Sequence, residues 1–193
     1  MLMNAGPLHN ALAKLSYERK TPVFGSSANQ SLSGSKYTVG DIEPAVLDAA
    51  DIVMSSKHGA GRAIAGALKD ARINPEEVGY INAHGTGTAA NDKTECAAVA
   101  DVFGRYADDL MISSTKSMHG HLIGGTGAVE LLAVIMALRD GVIAPTIGYE
   151  EPDPECALDV VPNTAREAQV DVALSNAFAF GGLNAVMALR AHR

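Results

Sequence analysis

The sequence predicts a layered α/β fold, and three observations carry that expectation. From about residue 56 onward, strand-like apolar runs alternate with helix-like stretches. Aromatic residues make up only 5% of the chain and Trp is absent, so Gly and Ala supply the small surfaces that let helices approach a sheet closely. Three polar segments each follow a predicted strand, where open α/β sheets place their sites. A chain of 193 residues can bury one core, or one core plus an extra piece.

The elements follow in order. Residues 1–55 form a region of different character: a helix over His9–Arg19, a short strand at Pro22–Phe24, the polar loop GSSANQSLSGSK and an acidic helix at Glu43–Ala50. In the second region, 56–193, Gly61–Arg72 spaces Ile64 and Leu68 four apart, which predicts a helix. Val78–Ala83 is a buried strand. Asn91 or Asp92 can cap a helix that runs to Phe103 and stops at Gly104. Leu110–Ser114 is a short strand. Gly127–Arg139 is a strongly apolar helix closed by Gly141, with Leu131, Leu132, Ile135 and Leu138 expected in the core. Val172–Asn176 and Ala185–Leu189 are strands joined through a glycine turn.

Charge and composition narrow the function. A net charge of −7 argues against nucleic acid as the main partner, because phosphate binding needs clustered Lys and Arg. Two cysteines, Cys96 and Cys156, are too few for a disulfide framework, and both read as structural. No stretch near Met1 reads as a signal peptide. The longest apolar run, Ala128–Leu138, contains Glu130 and is too short to cross a bilayer. The expectation is a cytoplasmic, reduced protein with no membrane span.

The chemistry is concentrated in AHGTGT (Ala83–Thr88), SSTKSMHGH (Ser113–His121) and NAFAFGGLN (Asn176–Asn184). Two neutral histidines, His84 and His121, can donate to an oxygen that becomes negative in a transition state. Lys116, five residues before His121, helps keep them neutral and strengthens the field. Such a pocket suits a thioester enolate. His119-x-His121 lacks a third ligand at suitable spacing, so no metal is expected and His119 reads as a turn residue. Gly124–Gly127, GGTG, lacks the Walker Lys-Ser/Thr and reads as a tight helix start.

These motifs carry a resemblance. HGTGT at His84–Thr88, KSMHGH at Lys116–His121 and NAFAFGG at Asn176–Gly182 resemble, in order and spacing, the motifs of β-ketoacyl-[acyl-carrier-protein] synthases of the KAS I/II type. The similarity extends through Pro145–Pro162, and GTAANDKTECAAVADVFG looks closest to the nodulation-type branch. The resemblance implies the C-terminal half of a thiolase-like α/β/α fold over 56–193. It implies decarboxylative Claisen condensation of a malonyl thioester with an acyl thioester, as in fatty-acid biosynthesis. His84 and His121 would hold the malonyl thioester carbonyl, Lys116 would organise them and Glu130 would support the site. Thr86 and Thr88 would bind the pantetheine arm. Phe180 would gate the acyl pocket and lend its N–H to an oxyanion hole, within a gate loop formed by Phe178, Ala179, Phe180, Gly181 and Gly182. The family usually has Gly where this chain has Ala179, which restricts positive φ there. No cofactor is implied beyond the carrier's phosphopantetheine arm, and acyl carrier protein is the implied partner.

The family's nucleophile is a cysteine at a helix N-terminus in its N-terminal half. Cys96 lies behind Asp92 and Glu95, and Cys156 in an acidic, Pro-rich loop, so neither fits. Residues 21–53 instead resemble a fragment of the Sua5/YrdC threonylcarbamoyl-adenylate synthase family, through SSAN (Ser26–Asn29) and Ser33–Gly34. Three functions stand open at this point: the decarboxylating half of a ketosynthase, self-associating or joined by a partner that supplies the other half; a non-catalytic module that binds carrier protein or ketosynthase; and a nucleotide-binding role for the Sua5-like piece.

Overall fold

A computed structural model describes residues 59–179 and 183–191 of the chain. The helices expected at His9–Arg19 and Glu43–Ala50, the strand at Pro22–Phe24, the Sua5-like stretch, and Phe180, Gly181 and Gly182 lie outside the described residues.

In chain order the elements are helix α1 (Gly59–Ala71), strand β1 (Val78–Asn82), helix α2 (Ala89–Phe103), strand β2 (Met111–Ser113), the single turn α3 (Lys116–His119), helix α4 (Thr126–Asp140), short strands β3 (Val142–Ile143) and β4 (Arg166–Glu167), and strands β5 (Val172–Ala179) and β6 (Leu183–Arg190). The main sheet has the order β2-β1-β5-β6, and β1 runs parallel to both β2 and β5. Parallel strands are joined by helical crossovers that cover both faces of a sheet. On one face Ile64 and Leu68 of α1 and Val99 and Phe103 of α2 pack on Val78, Ile81, Ile112, Val172 and Leu174. On the other, Val134, Ala137 and Leu138 of α4 pack on Tyr80 and Ala173. The layers are therefore α/β/α, as expected. An irregularity in the β1–β5 register between Val78 and Tyr80 lets those two residues, two apart in sequence, face opposite layers.

Several local expectations change. The cap of α2 is Thr88 rather than Asn91 or Asp92: its hydroxyl accepts the Asn91 N–H at 3.3 Å. Asn91 and Asp92 sit inside the first turn, where their side chains bond each other. On α4 the buried face is Thr126, Glu130, Val134, Ala137 and Leu138, whereas Leu132 and Ile135 are 61% and 43% exposed. The helix is apolar around most of its circumference, so composition cannot say which side is buried, and here polar Thr126 and Glu130 are turned inward toward the site. Gly141 closes α4 in the left-handed region at φ 67°, where a Cβ would strike the Gln169 side chain. Cys96 on α2 and Cys156 pair as a disulfide, with Cα atoms 5.4 Å apart. The tertiary return of the 151–158 loop onto α2, marked also by the Lys93–Glu155 ion pair, brings together residues 60 apart in sequence. No helix among the described residues is long and apolar enough to cross a membrane.

Candidate active site

The parallel register sets Asn82 and Ser113, at the C-terminal ends of β1 and β2, beside Ser175 in the middle of β5. The chain leaves β1 into His84, β2 into Lys116 and passes along β5 through Asn176 to Phe178. Three segments far apart in sequence therefore meet at one sheet edge.

The His84 loop is held by its backbone. Glu95 on α2, 4% exposed, accepts the N–H groups of His84 and Gly85, both at 2.9 Å. The same carboxylate accepts Nδ2 of Asn91 and Nδ2 of Asn176. Gly85 turns at φ 36° while its carbonyl accepts the Ser114 hydroxyl at 2.6 Å, and a Cβ there would lie 2.5 Å from Ser114 Cβ. Glycine is required by both the dihedral and the contact.

Lys116 on α3 and Glu130 on α4 form a buried ion pair. Burial pushes the Glu130 carboxyl above its ordinary value, and Lys116 pulls it back. Glu130 Oε2 and Asn176 Oδ1 are buried without a partner among the described residues.

The rings of His84 and His121 approach edge to face, centroids 5.5 Å apart. Phe178 lies 6.1 Å from His84 on the side of β5. Burial, then the charge of Lys116, then His121 lower His84 from 6.5 to about 4, so its imidazole is neutral near pH 7. His121 is exposed, and its Nδ1 accepts the Ile123 N–H at 3.1 Å beside the Thr126 hydroxyl at 2.8 Å. In the neutral ring the proton therefore sits on Nε2, which is left to donate outward. Two ring N–H donors next to a buried cation form an arrangement that stabilises a developing oxyanion.

The expected site residues divide accordingly. His84, Lys116, His121 and Glu130 come together, with Phe178 beside them. Thr86 and Thr88 lie on the same loop, but their hydroxyls bond each other at 2.9 Å and Thr88 also caps α2. Phe178 and Ala179 are not loop residues: β5 extends through both, and Ala179 adopts no left-handed φ, so the constraint expected from replacing Gly does not arise at that position. His119 is half-buried rather than a free turn residue, with Nε2 3.1 Å from the Thr115 hydroxyl. Sequence reasoning missed Glu95, Asn82, Thr115 and Asn176. Asn176 and Thr115 sat inside motifs already singled out, whereas Glu95 stood out only as an acidic neighbour of Cys96.

Comparison with known proteins adds the following. The family profile described as "Beta-ketoacyl synthase, C-terminal domain" matches residues 46–150, and its start lies inside the stretch that resembled Sua5/YrdC; that second resemblance finds no support. Nodulation protein E of Rhizobium sp. (strain N33) is 53% identical over 143 residues, which is 74% of this chain and 36% of that protein. 3-Oxoacyl-[acyl-carrier-protein] synthase 2 of Synechocystis sp. (strain ATCC 27184 / PCC 6803 / Kazusa) is 53% identical over 135 residues, 70% of this chain and 32% of that one. Among solved structures, a type II polyketide-synthase acyl-carrier protein in complex with its ketosynthase aligns with a TM-score of 0.69 at 39% identity, covering 71% of this chain and 34% of that one. The chain thus spans about a third of the length of the relatives it matches.

Proposed function

Because the chain belongs to the β-ketoacyl synthase family through that enzyme's C-terminal domain, we propose that it carries the decarboxylating half of a decarboxylative Claisen condensation on a malonyl thioester. The observation that carries this reading is the neutral His84 set against His121 beside the buried Lys116.

The chemistry follows from the geometry. The malonyl thioester carbonyl accepts from the two imidazole N–H groups. The bond between the α-carbon and the carboxylate breaks, CO₂ leaves, and the electron pair moves through the α-carbon onto the carbonyl oxygen. The resulting enolate is held by preorganised donors next to the Lys116 charge. Its α-carbon then attacks the carbonyl of an acyl thioester, whose C–S bond breaks to release the thiolate, or takes a proton from water to leave an acetyl thioester. Acyl transfer through a cysteine thioester needs a free thiolate. Cys96 and Cys156 are bonded to each other, so neither supplies it within this chain.

Thr86 and Thr88, at the rim of the same loop, are the proposed contacts of the pantetheine arm, and Phe180 the proposed gate. Acyl carrier protein is the proposed partner; a ketosynthase similar to this chain has been seen in complex with one. Self-association, or a separate partner chain that supplies the N-terminal half, is proposed, and the cytoplasm is the proposed location. Residues 56–193 are proposed as the ketosynthase portion and 1–55 as a separate segment.

The test is malonyl-carrier decarboxylation by the purified chain, with His121→Ala alongside. Release of acetyl-carrier and CO₂ that falls in the variant by about 10²- to 10³-fold supports the reading. Equal rates in the two proteins, or none in either, overturn it in favour of a non-catalytic module that binds carrier protein.

A further inference from the structure

Asn82 is fully buried at the end of β1, two residues before His84. Its amide reaches two other elements. Nδ2 donates to the Thr115 hydroxyl at 3.1 Å and toward the Glu130 carbonyl at 3.4 Å, while Oδ1 faces the Thr115 N–H at 3.4 Å and its hydroxyl at 3.3 Å. Thr115 immediately precedes Lys116, and Glu130 is the partner of Lys116 in the buried ion pair. One side chain thus ties the strand that leads to His84, the turn that carries Lys116 and the helix that carries Glu130.

A merely structural filler would not need this chemistry. The amide meets Thr115 and the Glu130 carbonyl, and Asn82 stands in register between Ser113 and Ser175. An apolar side chain would satisfy packing there without the desolvation cost that a buried amide carries. An amide earns its place only if its directed bonds hold something in register. Thr115, itself buried, also meets His119, so the grip extends over the whole of α3.

We propose that Asn82 is a positioning residue for the decarboxylation step, fixing the Lys116–Glu130 pair relative to His84 without touching substrate. The inference rests on the decarboxylation reading for its kinetic consequence but not for its structural one.

The experiment uses the full chain with Asn82→Leu and, as a milder second variant, Thr115→Val, which removes the hydroxyl that Asn82 grips and leaves the amide in place. Two quantities are read: kcat and KM for the malonyl-carrier thioester, and the titration midpoint of the His84 ring by NMR. In a folded variant, kcat is expected to fall by about tenfold to a hundredfold, with KM within about twofold. Burial is the larger cause of the lowered His84 midpoint and Lys116 the next, so displacing the Lys116 charge is expected to raise that midpoint above about 4. Should Asn82→Leu fail to fold, Thr115→Val decides. A folded variant with the wild-type His84 midpoint and wild-type kcat overturns the proposal. If the parent chain shows no decarboxylation, the functional reading fails by itself, and the His84 midpoint alone still tests Asn82.

Discussion

Lys116 and Glu130 face each other across α3 and α4 with side chains only 4% and 1% exposed. Removing one partner of a buried pair strands the other charge. Lys116→Met is therefore expected to destabilise the fold by about 3–5 kcal/mol. The double variant Lys116→Met/Glu130→Leu is expected to cost much less than the two single changes added together. Urea denaturation of the four proteins closes the cycle, and additive costs would mean that the pair is not coupled.

His84 imposes a pH dependence whose sign can be worked out. The unfolded ring takes up a proton near 6.5, the folded ring only near about 4. Between those values the unfolded chain binds more protons, so stability is lost as pH falls from 6.5 through about 4. Thermal melting across that window should slope less steeply in His84→Gln. In the kinetic profile, the acid limb due to His84 is expected near pH 4, because a cationic ring would hold the malonyl carboxylate that must leave. A limb at 6.5 would show that the ring is not neutralised by its surroundings.

Gly85 has neither the dihedral nor the room for a side chain, with φ at 36° and Ser114 in the way. Gly85→Ala is expected to cost about 1–3 kcal/mol through backbone strain and displacement of Ser114. The loop would also shift His84, so decarboxylation should fall more than the lost stability accounts for. Thermal unfolding and rate measured together check this.

Thr88 has two tasks that separate by substitution. Thr88→Ala removes the hydroxyl that caps α2 and is expected to cost about 1 kcal/mol, whereas Thr88→Ser keeps the cap. If the hydroxyl also meets the pantetheine arm, KM for a carrier thioester should rise in Thr88→Ala and in Thr86→Ala but not in Thr88→Ser. A KM unchanged in both alanine variants would remove these threonines from the binding surface.

By itself the sequence determined the alternation of strands and helices, the stops at Gly104 and Gly141, and the three motifs. These are local properties: periodicity, turn chemistry and spacing are written within a dozen residues of each other. The family resemblance that the motifs carry also implied that His84, Lys116 and His121 act together. Tertiary structure alone decided the rest. Which side of α4 is buried depends on what the sheet presents, so Glu130 turned inward while Leu132 stayed exposed. Glu95 became a ligand of two backbone amides just past the end of β1 and of Asn176 on β5, the latter 81 residues away in sequence. Cys96 and Cys156 met because the 151–158 loop returns onto α2. Asn82 is the clearest instance: alone it is one polar residue at the end of an apolar strand, and only the parallel register with β2 and the packing of α4 give its amide something to hold.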